Sequence, residues 1–156
     1  MTATKDLSRM SVVHDTVVLE RIYKATPARV FAAWESIEAR KRWSKPSPDT
    51  GIVYDAHDFR VGGKDIVRCG PANDLRFHAE VHYLNIVPGK RLIFSERISE
   101  NDRPMATALL TVEFRAKGQD THQVVTMQIA ALDGSDMVSG YIEGWNPTLD
   151  NLASEF

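Results

Sequence analysis

Five turn signals punctuate the middle of the chain: VGGK at 61–64, GPAND at 70–74, VPGK at 87–90, SENDRP at 99–104 and KGQD at 117–120. The stretches between them are rich in Val, Ile, Thr, Phe and Tyr, residues that suit a pleated, half-buried surface. Antiparallel strands can be joined by turns this short, whereas parallel strands need a crossover of about a dozen residues or more. Gly51 to Leu132 therefore reads as an antiparallel meander. Pro88 and Gly89 fit the two central positions of a type II turn, the second of which needs a positive φ. Alternation assigns the faces. Phe77, Ala79, Val81 and Tyr83 share one face, and His78, Glu80 and His82 the other. Leu92, Phe94, Glu96 and Ile98 form a second inward row, Leu110, Val112 and Phe114 a third, and Val125, Met127 and Ile129 a fourth. One side of the sheet is apolar and the other wet.

The flanks change period. DTVVLERIYK is rich in strand formers, and ATPARVFAAWESIEARKRWS then turns helical, with Thr26 as N-cap, Pro27 as first helical residue and Val30, Phe31 and Trp34 on one face. Ser36 caps a second short helix that runs through Trp43. After LDGSD the helical period returns, and Val138, Tyr141, Ile142, Trp145, Leu149 and Leu152 fall in a sector of roughly 100°, which should face the apolar side of the sheet. Gly140, Gly144 and Pro147 sit on the shoulder of that stripe. Inside a helix each Gly costs about 1 kcal/mol relative to Ala, and Pro about 3. Two readings account for them: close approach of another backbone with a kink at Pro147, or room beside Trp145 for a ligand. Residues 1–13 lack any period and read as a flexible tail, leaving 14–156 as a single domain.

At 43% hydrophobic and 26% charged residues, a chain of 156 residues is expected to build one globular core. A net charge of −2 provides no basic footprint for nucleic acid. No apolar run approaches the roughly 20 residues that span a bilayer, and the polar start MTATKDLSRM lacks a secretory signal, so the expected location is cytoplasmic. Cys69 is the single cysteine, which excludes an internal disulfide and reads as a small buried hydrophobe.

Few residues point to chemistry. His78, Glu80 and His82 form H-x-E-x-H, but on a strand the two histidines stand roughly 13 Å apart, too far to share one zinc ion. They read as solvated, and no metal is implied. Glu96 stands out because alternation puts a carboxylate among Leu92, Phe94 and Ile98, where it needs a partner or a raised pKa. Arg21, flanked on its strand by Leu19 and Tyr23, is the candidate partner, and Asp65, in register with Val67 and Cys69, raises the same question. Arg60 in DFRVGG reads as support for a turn. There is no G-x-S-x-G elbow, phosphate-binding loop or G-x-G-x-x-G fingerprint.

ATPARVFAAW with the later Trp43, DFRVGG at 58–63, IVPGKRLIF at 86–94, and GW followed by Leu149 and Leu152 together resemble the SRPBCC or START-like superfamily. Within it the chain is similar to stand-alone homologues of the activator of heat-shock protein 90 ATPase. The resemblance implies an α+β helix-grip fold: a curved antiparallel sheet wrapped around a long C-terminal helix, with two short helices after the first strand. It also implies a cavity between sheet and helix that takes a small hydrophobic or aromatic ligand, such as a lipid or polyketide, without a cofactor. The expected walls are Trp34, Phe77, Val81, Phe94, Leu110 and Met127 from the body of the domain, and Tyr141, Gly144 and Trp145 from the helix. Glu96 with Arg21 would be the polar anchor. The superfamily offers two other roles: regulation of a chaperone ATPase through the outer surface, and cyclase or dehydratase chemistry in the cavity, for which Glu96 would be the acid or base.

Overall fold

The computed structural model describes residues 11–156. Strand β1 (Val12–Tyr23) is followed by helices α1 (Pro27–Glu35) and α2 (Ile37–Trp43), then by strands β2 (Thr50–His57), β3 (Lys64–Pro71), β4 (Phe77–Val87), β5 (Arg91–Glu100), β6 (Arg103–Lys117) and β7 (Asp120–Leu132). Helix α3 (Met137–Leu152) and a single 3₁₀ turn (Ala153–Glu155) close the chain. The seven strands form one antiparallel sheet in the order β1-β7-β6-β5-β4-β3-β2. β1 and β2 thus lie on opposite edges, and α1 and α2 carry the chain across between them. This is the helix-grip architecture. No helix among the described residues is long and apolar enough to cross a membrane.

Local chemistry sets these boundaries. Thr26 Oγ accepts from the Arg29 amide (3.4 Å) and Ser36 Oγ from the Ala39 amide (3.2 Å), so each short helix starts on a hydroxyl cap. Ser36 also ends α1, its amide bonding to the Ala32 carbonyl. Gly89 has φ +69°, and the Lys90 amide bonds to the Val87 carbonyl, as a type II turn requires. At Gly63 an added Cβ would lie 2.1 Å from the Asp58 carbonyl oxygen, so only glycine fits that turn. The turn is tied to β4 by Gly62 N–H to Tyr83 O (2.9 Å) and Tyr83 N–H to Gly63 O (3.1 Å). Asp65 and Tyr83 are thereby held on neighbouring strands.

Helix α3 crosses the sheet with its two halves in different surroundings. Its C-terminal half lies on a dry core that includes Tyr23, Val30, Trp34, Val125, Leu149 and Leu152. Here it is pinned by Tyr23 O–H to the Leu149 carbonyl (2.6 Å), Asn151 Nδ2 to the Lys45 carbonyl (2.8 Å) and Arg21 Nε to Asp150 (2.9 Å). Its N-terminal half stands over the inner faces of β2–β5, where the space is not filled.

Two expectations need correction. Of the tail expected over 1–13, residues 1–10 lie outside the described residues, but Val12 and Val13 belong to β1 and pair with Leu132 and Ala131. Ile142 is 37% exposed rather than packed on the sheet. The helix is rolled toward Thr148, which is buried and satisfies its hydroxyl on the Trp145 carbonyl (2.9 Å), so the opposite edge of the stripe turns to solvent.

Candidate functional site

Between the sheet and the N-terminal half of α3 lies a cavity of ≈ 490 Å³. Its walls are mainly apolar and aromatic: Tyr54 from β2, Val67 from β3, Phe77 and Val81 from β4, Phe94 from β5, and Trp43 at the end of α2. Tyr141, Gly144 and Trp145 close it from the helix. Gly144 presents open space, since a Cβ built there would meet nothing within 4 Å. At Gly140 the nearest neighbour of such a Cβ would be the flexible Met137 Sδ at 3.1 Å. Neither glycine makes room for another backbone.

Of the residues expected at a ligand, the structure brings Phe77, Val81, Phe94, Glu96, Tyr141, Gly144 and Trp145 to this cavity. Leu110 and Met127 are instead fully buried in the packed core. They face inward on β6 and β7, where the core closes, so a correct face assignment did not make them cavity residues. Trp34 is likewise buried, one layer behind the wall: its ring stacks on Trp145 at 5.8 Å and its Nε1–H donates to Gln123 Oε1 (2.9 Å). Arg21 is not the partner of Glu96. It donates to Asp150 and to Asn146 Oδ1 (2.8 Å) and holds the helix. Three strand spacings separate β1 from β5, roughly 14 Å, which a face assignment does not reveal.

The polar end of the cavity is more elaborate than one carboxylate. Asp65, fully buried, accepts from His57 Nδ1 (2.8 Å) and from the Tyr83 hydroxyl, and faces Arg40 Nη1 at 3.7 Å. Arg40 also donates to the Trp34 carbonyl (2.8 Å) and to Tyr83 Oη (3.3 Å), with its guanidinium 5.2 Å from the Trp34 ring centre and 5.6 Å from that of Trp43. Burial opposes the Arg40 charge, but Tyr83, Tyr54 and Asp65 outweigh it and hold the pKa above its ordinary value. Arg40 and Asp65 thus form a buried ion pair supported by further hydrogen bonds from Tyr83, His57 and the Trp34 carbonyl.

Glu96 stands apart from that pair. Burial raises its carboxyl to about 7; the Tyr141 hydroxyl and Arg40 pull the other way, and Asp65 adds to the rise. Tyr141 is near enough to favour the carboxylate, yet its hydroxyl is buried without completing a hydrogen bond. Cys69 lines the same cavity, half-buried rather than enclosed in the core, and burial with Glu96 nearby pushes its thiol up to about 11. A neutral thiol is the consequence.

Arg40 and His57 were missed by sequence reasoning. Arg40 sits in the basic run RKRW, which reads as a solvated helix face; the available signal was its i,i+3 spacing to Trp43, which places both on one side. His57 was hidden by a β-bulge. β2 shifts register between Tyr54 and Ala56, so His57 lies opposite Asp65, whereas uninterrupted alternation from Tyr54 would turn it outward. The H-x-E-x-H residues lie on the wet face as expected: Glu80 takes His82 Nε2 (3.1 Å) and Arg97 Nη2 (2.8 Å). No group of three or more His, Cys, Asp or Glu among the described residues could hold a metal ion. Arg60 binds Asp58 at the surface beside the glycine turn (2.8 Å).

Comparison with known proteins places this geometry in context. The chain is similar to a crystal structure of a Rhizobium loti protein, with 33% identity, a TM-score of 0.82 and coverage of 94% of this chain and 100% of that one. A Rhizobium leguminosarum protein matches with 33% identity and a TM-score of 0.82, covering 93% of this chain and 95% of the other. A Chromobacterium violaceum protein shares the fold at 24% identity, with a TM-score of 0.78 and coverage of 89% and 94%. No curated protein matches the chain. The family described as Activator of Hsp90 ATPase homolog 1-like protein matches residues 24–156, from the end of β1 through α3, and the chain belongs to that family.

Proposed function

We propose that this protein binds a small, largely apolar molecule in the cavity beneath α3. Gly144 carries the reading. It sits in a helix interior at a cost of about 1 kcal/mol relative to Ala, and its missing side chain faces open space rather than a close neighbour. The volume of ≈ 490 Å³ is within the range of about 300–1,000 Å³ typical of small-molecule sites. Phe77, Val81, Phe94 and Trp145 supply the contact area, and Glu96 the polar end. A cytoplasmic location goes with this role.

Native mass spectrometry of gently purified protein tests it, with Trp145 emission as the second readout in a variant whose Trp34 and Trp43 are replaced by Phe and whose folding is verified. A small molecule travelling with the chain, and a change in emission when an apolar ligand is added, are expected. If no mass accompanies the protein and a panel of apolar compounds leaves the emission unchanged, the reading is wrong. The family description favours a second reading, stimulation of a chaperone ATPase through the outer surface. That activity would persist in a folded variant with a filled cavity.

A further inference from the structure

At the end of the cavity that holds Glu96, two polar groups approach each other without completing a hydrogen bond. The Tyr141 side chain is 2% exposed, lies in the cavity wall, and has a buried hydroxyl with no hydrogen-bond partner. Native interiors rarely leave such a group unpaired. Glu96 comes from β5 into the same wall. Arg40, the cation that could neutralise it, is committed to Asp65, the Trp34 carbonyl and Tyr83. Asp65 is in turn occupied by His57 and Tyr83. Glu96 and Tyr141 thus stand near each other on facing elements at the edge of an apolar space, interacting without a completed hydrogen bond.

The chemistry that completes this pair is narrow. An ammonium group can donate to Glu96 but offers no acceptor to the Tyr141 hydrogen. An ether or ketone can accept from Tyr141 but presents only lone pairs to an ionised Glu96. A carboxylate meets two negative groups, Glu96 and Asp65, against the single Arg40 charge that Asp65 already balances. A hydroxyl does both, because it carries one donor and two acceptor lone pairs.

We propose that Glu96 and Tyr141 form a recognition pair for a neutral hydroxyl on an otherwise apolar ligand, the hydroxyl donating to the Glu96 carboxylate and accepting from the Tyr141 O–H. The inference rests on the ligand-binding reading above and adds the chemical class of the ligand. The aromatic walls, with Tyr54, Phe77, Phe94 and Trp145, suit a ring-bearing skeleton.

Equilibrium dialysis of the full chain at about pH 8 tests it, using four probes on one skeleton: naphthalene, 2-naphthol, 2-methoxynaphthalene and 2-naphthylmethylammonium. Hydrogen bonds to charged groups are worth about tenfold or more in affinity. The expected result is 2-naphthol at least about tenfold tighter than naphthalene, with the ether and the ammonium close to naphthalene. Tyr141→Phe, which keeps the ring, and Glu96→Gln, each verified by near-ultraviolet circular dichroism, should each reduce the ratio of naphthol to naphthalene affinity several-fold. If naphthalene binds and naphthol is no tighter, the recognition pair is refuted while the cavity reading stands. The ammonium as the tightest probe, or a ratio unchanged in a folded Tyr141→Phe variant, refutes the pair as well. Failure of all four probes to bind overturns both readings together.

Discussion

Replacing Glu96 by Gln keeps the shape of the side chain and removes its charge, so the pair of proteins isolates what ionising a carboxyl inside the cavity does to stability. Burial is the main cause that moves this group from 4.5 to about 7. Because the folded pKa lies above the unfolded one, the folded state holds the proton more tightly. The stabilisation is fully present below about pH 4.5 and is lost as pH rises through about 7. A displacement of this size amounts to about 3 kcal/mol in total, most of which falls between about pH 5 and about pH 8. Urea unfolding of both proteins at those two pH values measures it, and other titrating groups cancel in the comparison. The native protein should lose about 2–3 kcal/mol more than the Gln variant, a change of about 1–2 M in the gap between their midpoints for a domain of this size. Parallel pH profiles for the two proteins would refute the argument and show that Glu96 is solvated as an ordinary carboxylate.

Gly144→Leu should fold with stability equal to or up to about 0.8 kcal/mol above the parent, since Leu is the better helix former and its Cβ enters open space. Thermal unfolding checks this, and dialysis against 2-naphthol should show binding lost; a folded variant that binds unchanged removes the gap from the site. Gly63→Ala forces a Cβ to within 2.1 Å of the Asp58 carbonyl oxygen. A loss of about 2 kcal/mol or more is expected in denaturant unfolding, and a neutral result would mean that the turn relaxes. Asp65→Asn leaves the Arg40 guanidinium buried without its counter-charge, and should cost about 3 kcal/mol or more by the same measurement.

The sheet was readable because its signals are local and repeated. Turns at Gly63 and Gly89 fix where strands end, and alternation places Val81, Phe94 and Glu96 inward without knowledge of their partners. The caps at Thr26 and Ser36 are legible for the same reason, each being a hydroxyl next to a change of period. What escaped depends on distances across the fold. Arg21 and Glu96 share the inner face, but three strand spacings part them. One extra residue at the β2 bulge reverses the facing of His57. Trp34 and Trp145 have the same composition signal, and only the seating of α3 decides that one is core and the other wall. The void itself is a property of how far a helix stands from a sheet, and no residue encodes it alone.

The strand order also has a consequence for synthesis. β1 is made before the other strands, yet its sheet neighbour among the described residues is β7, with Val12 opposite Leu132 and Tyr23 opposite Thr121. At about 5–20 residues per second, roughly a hundred residues of intervening chain keep this strand waiting for about 5–20 s after it leaves the ribosome. The hairpins from β2 to β7 can assemble in order of emergence, whereas β1 must be recaptured at the far edge by closing the longest loop in the sheet. During that interval Val17 and Leu19 have no core to cover them. Val18 and Ile22, still 52% and 48% exposed in the finished fold, extend the apolar length of a strand with both edges open. Until β7 has emerged, β1 is therefore the strand of this sheet most prone to pairing with other chains, and docking against β7 ends that exposure.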